Sequence, residues 1–264
     1  MNTLLHPTPS RVVRPSAVRR TAIAVTGFLA CALPVVWTIN LSRMLLLGEL
    51  SEHRFHQLTG QGLLLCLLWL ASVVPLVRAG WTGRRPSTAN GVLHLTFVAV
   101  GSVCAVAAPG GGAPSLMVVI AVTGALLWLA IPVRPRIRDA IRVDPVLAPL
   151  ALLGAALHTS YALDQVRLQN LATGHHAQNP HYFDMAWMVV TLAVIGVLGS
   201  LMPGVRRLAV WAGAGGAFTG AMGLLLGEAL PWAGLALGAG VVTLAAAVFT
   251  GGLVKSPVTD RQAI

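Results

Sequence analysis

The sequence predicts an all-α protein: a polytopic membrane helical bundle of eight transmembrane helices, built as a 4+4 parallel internal repeat. Three observations carry this reading: the hydropathy, the spacing of the charged residues, and a match between two segments 128 residues apart. The chain is 56% hydrophobic and only 10% charged, with a mean hydropathy of +0.77, which is too apolar for a water-soluble domain of 264 residues. Its net charge of +10 is not the footprint of a nucleic-acid binder, because the arginines stand in short clusters between apolar runs without interleaved aromatics. The expected partner is the lipid bilayer, and nucleic acid is not expected.

A helix crossing about 30 Å of hydrocarbon at about 1.5 Å per residue needs roughly 20 uncharged residues. Residues 1–20 form a basic tail with Arg11, Arg14, Arg19 and Arg20. The apolar run behind it is long and has no small-residue cleavage site, so it reads as a retained first helix. The first half, 21–134, holds spans at about 21–42, 57–77, 91–108 and 115–133. Its last two spans share one uncharged interval from Arg85 to Arg134, which Pro109, Gly110, Gly111, Gly112 and Pro114 break with a tight turn. The second half, 135–254, holds spans at about 145–163, 184–202, 208–227 and 230–250. Residues 255–264 form a tail.

Continuous apolar runs satisfy the backbone as helices, not as barrel strands, which alternate. Lys and Arg are retained on the cytoplasmic side. Placing both termini there puts fifteen of the eighteen Lys and Arg residues inside and leaves Arg43, Arg54 and Arg167 outside. The expected location is the cell (inner) membrane. Cys31, Cys66 and Cys104 each fall within an apolar run, with neither metal-ligand spacing nor a disulfide framework.

The repeat rests on loop lengths and on sequence. The outer connections alternate long, short, long, short. Sliding residues 53–78 by 128 aligns His53-Arg54-Phe55 with His181-Tyr182-Phe183, and Ser72, Pro75, Val77 and Arg78 with Ser200, Pro203, Val205 and Arg206. Leu64 and Leu70 meet Leu192 and Leu198 in the same register. With four extra residues in the second half, Asn40 and Arg43 match Asp164 and Arg167. Such parallel repeats build membrane folds whose sites lie between the two halves.

Six of the eight histidines, namely His53, His56, His158, His175, His176 and His181, lie on the outer side, together with Glu49, Glu52, Asp164, Asp184 and Glu228. Imidazole ligates iron or zinc, and neighbouring carboxylates orient the ring. His53 and His56 share a helical face, and His158 is intramembrane, where an ionisable group is a functional candidate by default. The candidate ligand set is His53, His181, His158, His56, Glu49, Glu52, Arg43, Arg167, Asp164 and Asp184. His175 and His176 read as solvated loop residues. His94, near the inner end of the third helix, is expected to hydrogen-bond a neighbour. The G-x-x-x-G pairs Gly216/Gly220, Gly223/Gly227 and Gly234/Gly238 mark a helix-packing seam.

Arg43, Glu49, Glu52 and the pair His53-Arg54, followed by Leu58 and Gly60 within an eight-helix duplicated bundle, resemble haem A synthase. The resemblance covers roughly 40 residues plus topology. It implies haem as cofactor, His53 as a first-half ligand, His181 as its second-half counterpart, and Glu49 or Glu52 as the loop acid. That family pairs a histidine of each half's second helix with one of its fourth, and here the fourth and eighth helices carry none.

Three functions stay open. The first is a haem-binding or redox-related membrane protein with an extracytoplasmic site. The second is a small-solute transporter in which Arg43 and Arg167 attract an anion. The third is a non-enzymatic subunit whose glycine-lined helices pack on a membrane-protein partner or on a second copy. Prenyltransfer is disfavoured, since no D-x-x-x-D pair occurs, and nucleotide hydrolysis lacks a G-x-x-x-x-G-K loop.

Overall fold

The computed structural model describes residues 14–49, 53–137 and 140–251. Eight long helices account for most of them, and no strand occurs among the described residues. α1 (Ala17–Leu47) is capped by Ser16, whose hydroxyl accepts from Arg19 N, and it ends on Gly48 at φ 70. Its 31 residues extend to about 46 Å, so it projects beyond the hydrocarbon and exceeds the expected span at both ends. α2 (Arg54–Thr82) is wound as a π-helix from Gln57 to Leu68. α3 (Thr88–Ala107) starts on a Ser87 cap. It joins α4 (Ala113–Ala130) through the expected turn, where Gly111 and Gly112 have φ 59 and 76.

α5 (Leu147–Leu171), α6 (His181–Leu201), α7 (Arg207–Leu226) and α8 (Leu230–Phe249) follow. Among the described residues, seven helical segments are long and apolar enough to cross a membrane. α5 is the long helix outside that set. It has 25 residues but carries His158, Asp164, Gln165, Arg167 and Gln169, and it packs along α6 and α8.

Each set of four helices closes a ring of neighbours. α1 packs on α2, α2 on α3, α3 on α4 and α4 on α1; α5 through α8 repeat the same order. Between the rings α2 meets α6, while α3 reaches α6 and α7 reaches α2. The junction is aromatic. Trp187 Nε1 donates to Phe97 O at 2.9 Å, the two rings lie 4.5 Å apart, and Phe183 and Trp69 flank them. These residues are almost wholly buried.

The glycine seam lies between α7 and α8, with one adjustment of face. Gly216 and Gly220 line it, and Gly223 packs toward Ala233. Gly234 and Gly238 instead face open space, and Gly227 ends α7 at φ 73 with open space around it. On α8 the seam runs along Ala233, Leu237, Gly240 and Leu244. The expected pair is displaced because glycines four apart lie on whichever face they start from, and residue 234 starts about 100° of helical rotation from residue 233.

At the arginine end, Arg207 donates to Ser87 Oγ and Asn90 Oδ1, tying the start of α7 to the start of α3. Asp144 pairs with Arg206 at 2.8 Å.

Candidate functional site

Five imidazoles gather at the opposite end of the bundle. His53 stands at the start of α2 and His56 in its first turn. His175 and His176 come from a one-turn helix, His175–Gln178, and His181 opens α6. His53 and His181 stack with centroids 5.6 Å apart and planes 18° apart. His53 also meets His175 at 6.2 Å and His176 at 5.5 Å. His181 meets His56 at 6.0 Å, His175 at 5.9 Å and His176 at 6.0 Å. Tyr182 closes one side, 5.9 Å from His56 and 5.5 Å from His176.

The loop is held in place by the end of α5 just before it and by the distant α3–α4 turn. Gln169 on α5 donates to His176 O at 3.0 Å and accepts from Phe183 N at 3.2 Å. Asn170 donates to Ala107 O at 2.9 Å. The α3–α4 turn fits beneath: a Cβ on Gly110 would stand 2.6 Å from Gln169, and one on Gly111 2.6 Å from Pro180. At Gly111, where φ is positive and the obstruction includes the Pro180 backbone nitrogen, only a residue without a side chain allows that approach.

Beneath the cluster the interior turns polar. Asp184, one turn on from His181, is 5% exposed, and its Oδ1 has no hydrogen-bond partner. It lies against α2 at Gly60, where an added Cβ would meet Asp184 Cβ at 3.2 Å. His176 Nδ1 is likewise buried without a partner. Thr59 donates to Phe55 O at 2.6 Å and to Met185 Sδ at 3.1 Å. Gln57 through Leu68, the α2 segment that faces this region, is the π-helical stretch, a winding often found at functional sites.

The other sequence candidates are distributed differently. Arg43 pairs with Glu49 at 3.2 Å in an exposed position, and Gln57 Nε2 donates to Glu49 O. Glu52 lies outside the described residues. Asp164 and Arg167 are exposed on α5, and Glu228 is exposed at the α7–α8 turn. His158 lies within the second ring. It is 5.9 Å from Trp232, its Nδ1 has no partner, and it borders a cavity of about 20 Å³ shared with Gly196, Gly213 and Gly240. That volume accommodates about one water. His94 is buried beside Ser72 Oγ at 3.5 Å.

Sequence reasoning thus reached His53, His56, His181 and Asp184, but not His175, His176, Tyr182 or Gln169. The available signal was the His175-His176 pair lying shortly before His181.

Among the described residues, no group of three or more His, Cys, Asp or Glu side chains is so placed, in the orientations shown, that it could hold a metal ion. The rings are apposed and do not converge. α4 and α8 contain no histidine, so neither half offers the second- and fourth-helix histidine pair of the haem A synthases. Across the halves, an axial pair must meet iron end-on from both sides of a flat macrocycle. His53 and His181 meet across the halves with planes 18° apart, and His175 and His176 stand beside both. Comparison with family models, curated proteins and solved structures finds no match for the chain.

Proposed function

We propose that this chain is a multi-pass cell-membrane protein that binds a metal centre at the extracytoplasmic side, in a redox-related role, through the histidines joined by its two halves. One observation carries the reading. Five imidazoles from α2, from the α5–α6 connection and from α6 meet with centroids 5.5–6.2 Å apart. Clustered imidazoles, a buried carboxylate beneath them and a locally rewound helix are the components of a ligand site, not of a packing core.

The packing also supports descent of the halves from one repeat. α2 and α6 meet at the centre, and α3 against α6 mirrors α7 against α2. A two-fold relation between the halves brings equivalent residues together at its axis, as His53 and His181 are brought together here.

The test uses tag-free protein purified in detergent after growth in metal- and haem-replete medium. Metal content and visible spectrum, with and without dithionite, are compared with those of a His53→Ala/His181→Ala variant. We expect about one metal per wild-type chain and loss of most of it in the variant. Equal contents in the two proteins would overturn the reading.

Orientation follows from the arginines. Reporter fusions after residues 48, 82, 112, 140, 172, 205, 229 and 258 are expected to report outside and inside in alternation. Two successive fusions on one side would refute the eight-span topology.

A further inference from the structure

We infer that the histidine cluster takes a bare late transition-metal ion of the Cu²⁺/Zn²⁺ class, held jointly by both halves and by the His175–Gln178 loop. This rests on the metal-centre reading above and names its ligand.

The first argument is spacing. An imidazole nitrogen binds such an ion at about 2.0–2.1 Å, which puts each ring centroid roughly 3 Å from the metal and two rings on one ion roughly 5–6 Å apart. The centroids of His53, His176 and His181 are separated by 5.5, 5.6 and 6.0 Å. The rings already stand at liganding separation, and only their orientation is wrong. Rotation about the broad Cβ–Cγ torsion of histidine turns a nitrogen inward without moving the backbone.

The second argument is unmet polarity. His176 Nδ1 and Asp184 Oδ1 are buried without partners, and buried polar atoms are ordinarily satisfied. A dication beside the cluster supplies His176 with a bond and gives Asp184, one turn below His181, an opposite charge. Ligating histidines characteristically lean on such a carboxylate.

The third argument is selectivity. Imidazoles without thiolates suit Cu²⁺, Zn²⁺ and Ni²⁺, whereas Mg²⁺ and Ca²⁺ need oxygen ligands. The three cysteines are free and lie within the apolar bodies of α1, α2 and α3.

The experiment strips tag-free, full-length protein with EDTA and titrates it separately with Cu²⁺, Zn²⁺ and haemin. Electron paramagnetic resonance reads the copper ligands. We expect one Cu²⁺ per chain with hyperfine structure from several nitrogens, competition by Zn²⁺, and no Soret band. Affinity is expected to fall roughly tenfold or more in His53→Ala, in His181→Ala and in His175→Ala/His176→Ala alike, and to be unchanged in His6→Ala. Where an alanine variant does not fold by circular dichroism and gel filtration, the corresponding asparagine variant is measured in its place.

Copper binding that survives His181→Ala, or that depends on His6, would overturn the shared site. A haemin Soret band lost in His53→Ala, with no copper binding, would overturn the bare ion while leaving the metal-centre reading intact. Binding of neither would overturn both.

Discussion

Leucine at Gly240 is expected to lower the stability of the second ring by about 3 kcal/mol or more, whereas leucine at Gly238 is expected to change it by less than about 0.5 kcal/mol. The two positions are two residues apart on α8 and differ in what they face. A Cβ at Gly240 would lie 2.2 Å from Ala217 N, and the reciprocal contacts are as close: Gly220 to Leu237 N at 2.3 Å and Gly213 to Leu244 N at 2.5 Å. The obstructing atoms are backbone, so no rotamer change relieves them. Helices in lipid gain nothing from hiding apolar surface and depend on this close approach.

Gly238 faces open space, where a leucine meets lipid. Thermal unfolding in detergent, followed by tryptophan fluorescence, distinguishes the two variants, and equal midpoints would remove the seam from the account. The effect should also reach the histidine end. α7 touches α2 there, with Phe55 Cε2 3.6 Å from the position of a Gly223 Cβ. A displaced α7 releases the helix that carries His53 and His56.

The helices were legible because charge is costly in hydrocarbon, so charged residues mark where spans end. Asp144, Arg206 and Glu228 each stand within a few residues of a helix terminus. Extensions such as α1 running to Leu47 were not legible, because a helix leaving the membrane obeys capping rules, here at Ser16 and Gly48, and not hydropathy. Among the site residues, His53 and His181 were marked by their shared register. Arg43 and Arg167 carried a similar register but lie in exposed positions. Internal similarity therefore identified equivalent positions without saying which of them converge.

His175 and His176 had no periodicity to reveal them. Their place depends on Gln169 reaching His176 O and on Pro180 lying over Gly111. The first spans seven residues of an irregular connection and the second is long-range, and no helical or strand periodicity encodes either. The π-helical winding of Gln57–Leu68 is equally a product of tertiary fit, since leucines, glycines and glutamines in that order are compatible with an ordinary helix.

Removal of the Asp144 carboxylate should destabilise the arginine end while leaving the distant histidine end able to bind metal. Asp144 is 8% exposed and serves two roles. Its Oδ1 accepts from Val146 N and Leu147 N, both at 3.0 Å, capping α5. Its Oδ2 pairs with Arg206 at 2.8 Å. Arg206 also donates to Thr250 O at 2.9 Å, and Asp144 N donates to Ser200 O at 2.9 Å. One ion pair thus binds the start of α5 to the ends of α6 and α8.

Losing a cap costs about 1 kcal/mol, and breaking a largely buried pair costs a few kcal/mol, because the remaining charge stays desolvated. Asp144→Ala and Arg206→Ala are each expected to cost roughly 3 kcal/mol. Asp144→Asn, which keeps the capping oxygen, should cost less than Asp144→Ala. The double variant should cost clearly less than the sum of the single ones, since it leaves no unpaired charge. Additive losses would show that the two groups act independently and would sink the coupling. Each variant should still take up metal when folded, because α6 alone, with 21 residues, sets the two ends about 30 Å apart. Uptake that falls in step with stability at this end would instead mean that the whole bundle unfolds as one unit.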